Sequence, residues 1–224
     1  MERIRGKQSL TIDAQTLAAL SNRYDDILID IGTGDGRFVR RMAERSPACL
    51  AIGIDACREN LREASRRAPQ NAVYLIANAL ALPPGLAGLA TRITINFPWG
   101  SLLAGLLDQH AGLMHGLAAM ARPGAELEVR LNAGALAEEG RRLDDGAARV
   151  RESLECEGFV MEQGIVLDAD TLRLAGTTWA KRLAEGRDPR AIYMRGARYP
   201  QLDRSRAAYT PAFVLTGASA YGDP

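Results

Sequence analysis

The chain has 224 residues, of which 47% are apolar and 25% charged, and its formal net charge is +1. There is no apolar run of membrane-spanning length. The three cysteines are an odd number without metal-ligand spacing, and the two histidines stand five apart without partner ligands. This composition argues against a membrane protein, a disulfide scaffold and a metal site. We therefore expect one cytoplasmic, metal-free domain over residues 1–224.

The first predicted element is a small β-hairpin over residues 1–12, where apolar and polar residues alternate weakly. Lys7 falls at its turn, with Arg3 and Arg5 on the preceding strand. Asp13 is a suitable N-cap for the helix that follows. We expect this hairpin to be an extension of the main fold that presents positive charge.

A glycine-rich turn then follows a short apolar strand at residues 27–30 and precedes a helix. The strand contains Asp30, and Gly32, Gly34 and Gly36 come at alternate positions. Glycines allow the backbone to approach a bound cofactor, because no Cβ blocks it. A second apolar run ends at Asp55, where an acid typically accepts hydrogen bonds from ribose hydroxyls. The pattern resembles the first motif of S-adenosylmethionine-dependent methyltransferases; another nucleoside ligand, or acids that merely cap strands, are the alternatives.

Helices and apolar runs alternate through the rest of the chain, which favours an α/β fold. We expect a loop or lid over residues 132–145, which are glycine-rich and charged. Including residues 27–30, seven strands are predicted. The other predicted strands cover 50–54, 73–77, 92–96, 126–131, 159–166 and 211–215, and the main helices cover 38–45, 58–68, 102–107, 111–121, 147–156 and 178–183.

The two tryptophans of the chain are candidates for a base-binding site. Trp99 follows Asn96, Phe97 and Pro98 at the end of a predicted strand, and Trp179 is followed by two cations. A flat aromatic side chain on a stiff loop can hold a planar base by stacking, and the neighbouring cations can grip phosphates. The alternative is that both tryptophans are structural.

The chain also contains a basic stretch. Residues 171–210 hold nine basic and three acidic residues, a balance of +6. Such a segment beside a neutral core indicates a polyanionic partner, although a solvated arginine-rich surface is an equal alternative.

Four segments together resemble the 16S rRNA methyltransferases that modify N1 of adenine 1408, the aminoglycoside-resistance type. They are residues 30–37 (DIGTGDGR), 53–55 (GID), 97–103 (FPWGSLL) and 179–183 (WAKRL), and the similarity extends over about residues 1–187. The resemblance implies a class I Rossmann-like fold, with a seven-stranded, mostly parallel sheet, helices on both faces and one antiparallel strand near the end. It also implies S-adenosylmethionine as cofactor.

The resemblance and the motifs together give a set of expected site residues. Trp99 and Trp179 would sandwich the flipped adenine. The residues expected to contact rRNA are Lys7, Lys181, Arg182 and Arg187. Those expected to contact the cofactor are Asp30, Gly32, Gly34, Asp55, Asn78, Ala79, Leu80, Asn96, Ser101 and Thr177. The implied partner is the 30S subunit at the decoding site in helix 44 of 16S rRNA, bound by a monomer without membrane or metal.

Two features depart from that family. Leu80 stands where the family usually has an acid beside the adenine of the cofactor, so Asn78 or the backbone would have to read the ring edge. The second departure is the basic segment 188–209, which we interpret as an insertion before the last strand.

No general base is needed to methylate N1, because N1 of adenine is an uncharged nucleophile with a lone pair. Two alternatives to this function remain. The sequence Asn96-Phe97-Pro98-Trp99 resembles the Asn-Pro-Pro-aromatic motif of exocyclic-amine methyltransferases, which suggests an N6-adenine or a protein-glutamine methyltransferase. Leu80 raises the other alternative, a ribosome-binding factor that no longer catalyses.

Overall fold

The computed structural model of the protein describes residues 1–174, 178–185 and 188–199. In chain order, the strands are β1 (Glu2–Arg5), β2 (Gln8–Thr11), β3 (Asp26–Ile31), β4 (Cys49–Asp55), β5 (Ala72–Ile76), β6 (Ala90–Asn96), β7 (Ala121–Asn132), β8 (Phe159–Met161), β9 (Ile165–Leu167) and β10 (Ala191–Arg198). The helices are α1 (Ala14–Ser21), α2 (Arg37–Arg45), α3 (Arg58–Arg66), α4 (Gly100–Leu107), α5 (Ala111–Met120), α6 (Ala133–Glu138), α7 (Leu143–Cys156), α8 (Ala169–Leu174) and α9 (Thr178–Ala184). Short 3₁₀ turns cover Ala79–Ala81 and Pro84–Leu86.

All ten described strands belong to one sheet, in the order β2-β1-β5-β4-β3-β6-β7-β10-β8, with β9 also paired to β10. Strands β3 to β7 are parallel to one another. Strand β10 runs antiparallel to β7 and to β8 and β9, which share its outer edge. Without the hairpin, the sheet has seven strand positions, and the predicted mostly parallel α/β sheet with an antiparallel strand is confirmed.

The apolar strands at the centre are covered on both faces. In β3, Ile27, Ile29 and Ile31 pack into one hydrophobic cluster, which includes residues of α4, α5 and α7. Leu28 points the other way, into a cluster with residues of α2 and α3. This alternation is the period-2 pattern of a strand buried on both faces, and it makes β3 a rigid support for the glycine turn at its end.

The N-terminal hairpin is confirmed and extends the sheet, because β1 pairs antiparallel with β2 and with β5. Its turn is fixed by a hydrogen bond from the Gly6 backbone N–H to Ser65 Oγ of α3 (2.9 Å). The Arg58 side chain donates to Ser9 Oγ at 2.6 Å and also contacts Glu2. The hairpin is therefore attached to α3.

Three predicted features differ from the structure. Residues 132–145 are not a loop, because they contain α6 and the beginning of α7; Asn132 caps α6 by accepting from Ala135 N (2.7 Å). The predicted strand 159–166 is two short strands, β8 and β9. The interpretation of 188–209 as an insertion is wrong for 191–198, which form β10 inside the sheet. Residues 200–209 and the predicted strand 211–215 lie outside the described residues.

The described ranges show neither a membrane-spanning helix nor a metal-binding group of side chains. Among their helices, none combines the length and the apolar character needed to cross a membrane. The same ranges contain no group of three or more His, Cys, Asp or Glu side chains arranged to hold a metal ion.

Candidate functional site

A cavity of about 530 Å³ opens at the carboxyl ends of β3, β4 and β6. The strand order reverses between β3 and β6, which is where open α/β sheets bind their ligands. The volume lies within the range of roughly 300–1,000 Å³ usual for small-molecule sites. The lining residues that carry the arguments below are Asp30, Gly32, Gly34, Asp35, Asp55, Asn78, Ala79, Asn96, Trp99, Ser101, Thr178, Trp179 and Arg182.

The glycine turn between β3 and α2 leaves the backbone open to a ligand. Gly32 and Gly34 have φ angles of 68° and 56°, in the left-handed region that favours glycine. A Cβ at position 32 would lie 2.5 Å from Leu102 Cδ2, whereas nothing lies within 4 Å of a Cβ position at Gly34. The free space beside Gly34 is therefore available to a cofactor.

Asp55 is held at the end of β4 by two backbone donors. Its Oδ2 accepts from Gly34 N and its Oδ1 from Cys57 N, both at 2.8 Å. Because each carboxylate oxygen has more than one lone pair, both can still accept from a ligand. The fixed orientation suits the two adjacent hydroxyls of a ribose.

Asp30 is the buried acid of the cavity. Its Oδ1 accepts hydrogen bonds from Thr94 Oγ1 (2.6 Å) and from Asn96 Nδ2 (2.9 Å). Burial raises the pKa of Asp30 to about 6, and these hydrogen bonds and the charge of Arg130 only partly oppose the shift. An unbalanced negative charge in this position favours a cationic ligand group.

Binding of a cationic cofactor should therefore depend on pH. The folded protein holds the proton of Asp30 more tightly than an unfolded chain does, so this carboxyl lowers the free energy of unfolding as the pH rises from 3.8 to about 6. A cationic ligand must displace that proton below about pH 6. We expect the affinity for S-adenosylmethionine, measured by calorimetry, to fall about tenfold per unit below that pH.

The matched control for this titration is Asp30→Asn. It should bind S-adenosylmethionine more weakly than the wild type at pH 7, because the negative charge is lost. Its affinity should vary little between pH 5 and 7. A wild-type affinity that stays constant over the same range would show that Asp30 does not carry the charge that the ligand needs.

The turn after β5 lines the cavity with Ala77, Asn78 and Ala79. Asn78 Oδ1 accepts from Leu80 N (2.9 Å), so a contact with a ring edge would fall to its NH₂ group or to the backbone. Leu80 is not among the lining residues. Its side chain packs against the core, 2.7 Å from where a Cβ at Gly105 of α4 would lie. Leu80 therefore supports the turn from behind.

The two tryptophans lie together at the mouth of the cavity. Their ring centroids are 5.9 Å apart and their planes are inclined by 18°, and each side chain is 44% exposed. The guanidinium of Arg182 lies 5.4 Å from the centroid of Trp179. Insertion of one planar ring needs two contacts of about 3.5 Å each, so the indole planes would have to separate by at least about 1 Å.

Phe97 joins the loop that carries Trp99 to α8 and to α9, the helix that carries Trp179. It packs in a buried cluster with Leu172 of α8 and with Ala180 and Ala184 of α9. Phe97 has a φ of 54°, which is uncommon for a residue with a large side chain. Its burial is the reason this conformation persists, and the same packing brings α9 next to the loop after β6.

The structure gathers most of the expected site residues but not all. Ser101 lines the cavity at the start of α4, and Arg182 lines it from α9. Lys181 is exposed on α9, whereas Lys7 is exposed in the hairpin turn and does not line the cavity. Thr177 and Arg187 lie outside the described residues.

Four polar residues of the site were not expected from the sequence. Thr94 lies two residues before Asn96 on β6, so the period of a strand places both side chains on one face of the sheet. The register of β3 and β6 pairs Thr94 with Asp30 and so brings both next to that acid. Arg130 donates to Asn96 Oδ1 (2.9 Å), and Thr178 Oγ1 donates to Asp35 Oδ2 (2.7 Å). These last two contacts join elements far apart in the chain, and no local pattern indicates them.

The reversed sheet order, the glycine turn and the acids on two adjacent strands are those of a Rossmann-like nucleoside-binding fold and fit a class I S-adenosylmethionine-dependent methyltransferase. A family model described as "NpmA: 16S rRNA (adenine(1408)-N(1))-methyltransferase" matches residues 2–198. The chain therefore belongs to the 16S rRNA (adenine(1408)-N(1))-methyltransferase family, and the predicted family is confirmed.

Individual relatives agree with this assignment. A 16S rRNA (adenine(1408)-N(1))-methyltransferase of Streptoalloteichus hindustanus is 31% identical over 204 residues, which are 84% of this chain and 94% of the relative. The crystal structure of the 16S rRNA methyltransferase KamB has a TM-score of 0.80 at 28% identity and covers 89% of this chain and 100% of KamB.

A third match concerns the fold. The structure of a mutant 16S rRNA (adenine(1408)-N(1))-methyltransferase from Catenulisporales acidiphilia, solved with its cosubstrate S-adenosylmethionine, has a TM-score of 0.78 at 24% identity. It covers 91% of this chain and 99% of that protein. The cavity of this chain, the open backbone at Gly34 and the two acids fit the cosubstrate that was solved with that protein.

Proposed function

We propose that this protein methylates N1 of adenine 1408 in the 16S rRNA of the 30S subunit and thereby confers resistance to aminoglycosides. The observation that carries the proposal is the pair of parallel, half-exposed indoles, Trp99 and Trp179, at the mouth of a methyl-donor cavity. Two such faces suit a planar base taken out of its stack. The partner would be the decoding site in helix 44, approached by a monomer in the cytoplasm.

The chain's role at the reacting base is to hold and desolvate it. Enzymes that act on a base inside a folded nucleic acid extrude it, at a cost of a few kcal/mol. Stacking contributes roughly 1–3 kcal/mol per base, so indoles on both faces can offset that cost. Lys181 and Arg182, on the helix that carries Trp179, are suited to the phosphates beside the extruded nucleotide.

The reaction needs no general base from the protein. When bound, S-adenosylmethionine supplies an electrophilic methyl group on its sulfonium, and N1 of adenine brings its own lone pair. The described residues that line the cavity include no histidine or cysteine, in keeping with that requirement. The methylated ring becomes cationic, and two indole faces beside it stabilise the developing charge. Positioning and exclusion of water then account for the rate.

The test is primer extension on 16S rRNA from 30S subunits incubated with the protein and S-adenosylmethionine. N1-methyladenine blocks the pairing edge, so reverse transcriptase should stop at position 1408. Cells that express the chain should also survive higher aminoglycoside concentrations than cells with an empty vector. Complete read-through with 30S subunits that carry the transferred methyl group would refute the N1 assignment.

The structure offers a specific argument against the exocyclic-amine alternative. In the Asn-Pro-Pro-aromatic motif, a proline follows the asparagine, and proline fixes φ near −65°. Phe97 occupies that position with a φ of 54°, which proline cannot adopt. The Asn96 side chain is also engaged, because its Nδ2 donates to Asp30 and its Oδ1 accepts from Arg130. Reverse transcriptase reads through the N6 product, so the same primer-extension assay separates the two activities.

A non-catalytic ribosome-binding factor remains the alternative from another class. Leu80 raised that alternative, but its side chain packs away from the cavity and leaves the volume open. Calorimetry with S-adenosylmethionine, followed by tritium transfer to isolated 30S subunits, distinguishes the two. Cofactor binding without transfer of label would favour the factor.

A further inference from the structure

We propose that the hydrogen bond between Thr178 and Asp35 is a latch that positions Trp179 against the cofactor-binding turn. This inference rests on the function proposed above and identifies a positioning residue for it. Thr178 Oγ1 donates to Asp35 Oδ2 at 2.7 Å, across 143 residues of sequence. Thr178 is the first residue of α9, and Trp179 is the second.

The acceptor of the latch belongs to the same turn that holds the cofactor acid. Gly34 N donates to Asp55 Oδ2 (2.8 Å), and Asp35 is the next residue. Asp35 is itself fixed, because its Oδ1 accepts from Arg37 N (3.1 Å) and the Arg37 side chain lies 3.7 Å from its Oδ2. A short path of bonds therefore connects the ribose-binding acid with the base-stacking indole.

The orientation of α9 about its own axis depends on the hydrogen bond between Thr178 and Asp35. Helix α9 has only seven residues, and its apolar contacts, through Ala180, Leu183 and Ala184, lie on the side of Phe97. Apolar packing is non-directional and leaves the rotation of a short helix loosely defined, whereas a hydrogen bond to a carboxylate fixes one direction. Because Trp179 follows Thr178 directly, that bond sets where the indole lies relative to Trp99.

Two consequences follow for the reaction. The Trp99–Trp179 stack depends on the conformation of the glycine turn, so an occupied cofactor site and an ordered base site support one another. Loss of the latch should impair placement of the base much more than binding of the cofactor, since Asp30 and Asp55 make their contacts independently of α9.

The test uses Thr178→Val in the full chain, because valine keeps the shape of threonine and has a similar helix propensity. We expect kcat for methylation of 30S subunits to fall about tenfold, with the Kd for S-adenosylmethionine changed less than twofold. The near-UV circular dichroism of the stacked indoles, defined as the signal that Trp99→Ala removes, should also decrease. Thr178→Ser, which keeps the hydroxyl, should restore both kcat and the signal.

Other results would overturn the latch. An unchanged kcat and an unchanged indole signal in Thr178→Val would show that the bond does not position Trp179. A weakened cofactor affinity with normal kcat would assign Thr178 to cofactor binding instead. Failure of Thr178→Ser to restore the signal would assign the effect to the methyl group. The dichroism requires no activity, so a wild-type protein that did not modify position 1408 would refute the proposed function and leave this measurement valid.

Discussion

Replacing either Trp99 or Trp179 by alanine should reduce methylation of 30S subunits by about 10²–10³-fold while the affinity for S-adenosylmethionine stays within twofold. Each substitution removes one stacking face, worth roughly 1–3 kcal/mol. The base held on one side only is also less well aligned, and misplacement by about 1 Å costs on the order of 100-fold. The rate is measured by tritium transfer under single-turnover conditions, and the affinity by calorimetry.

Two further variants make this result specific. Tyr199→Ala removes another exposed aromatic side chain, one that does not line the cavity, and should leave methylation unchanged. Phenylalanine at position 99 or 179 keeps a flat face and should retain part of the activity. Near-normal turnover in either alanine variant would refute the proposal that the two indoles sandwich the base. The protein would then need another way to hold its substrate.

The site was predictable where its chemistry lies within short segments. The turn between β3 and α2 follows from glycines at alternate positions, since few other residues adopt a positive φ or allow a ligand so close to the backbone. Asp55 was found in the same way, at the end of an apolar run. Trp99 and Trp179 were candidates for base stacking from their sequence surroundings, the resemblance to a family assigned them to the flipped adenine, and the structure shows them stacked.

The strand β10 shows why other parts could not be predicted. Its sequence contains Arg195 and Arg198, so it reads as a basic surface segment. In the structure, Arg195 pairs with Glu126 of β7, and the guanidinium of Arg198 lies over the ring of Phe159 of β8 at 5.7 Å. These partners neutralise or cover the charges, and they become neighbours only after β10 has inserted between β7 and β8.

Helix α6 was not predicted from the sequence, for a different reason. A helix of six residues shows less than two turns of periodicity, and the glycines of its surroundings favour a loop. What holds it is the cap from Asn132 and the burial of Leu136, on which Gly146 of α7 packs closely. The contact between Thr178 and Asp35 could not be predicted either, because it depends on the packing of α9 and not on any local pattern.

Asp55→Ala should test the cofactor-binding part of the site independently of the two indoles that hold the base. We expect the Kd for S-adenosylmethionine to rise at least 100-fold, which is about 3 kcal/mol and corresponds to loss of charged hydrogen bonds to the ribose. Asp55→Asn should not rescue binding. Both carboxylate oxygens accept from backbone N–H groups, of Gly34 and Cys57, and an amide NH₂ would oppose one of these donors.

The matched control is Glu63→Gln, since Glu63 is an exposed acid that contacts Arg66 on the surface of α3 and lies outside the cavity. It should bind S-adenosylmethionine as the wild type does. The tryptophan variants keep cofactor binding and lose transfer, whereas Asp55→Ala loses binding first and recovers transfer only at high cofactor concentration. This contrast assigns Asp55 to the methyl donor and the indoles to the methyl acceptor. Wild-type affinity in Asp55→Ala would contradict the assignment, because the donor would then have to lie elsewhere than against the glycine turn.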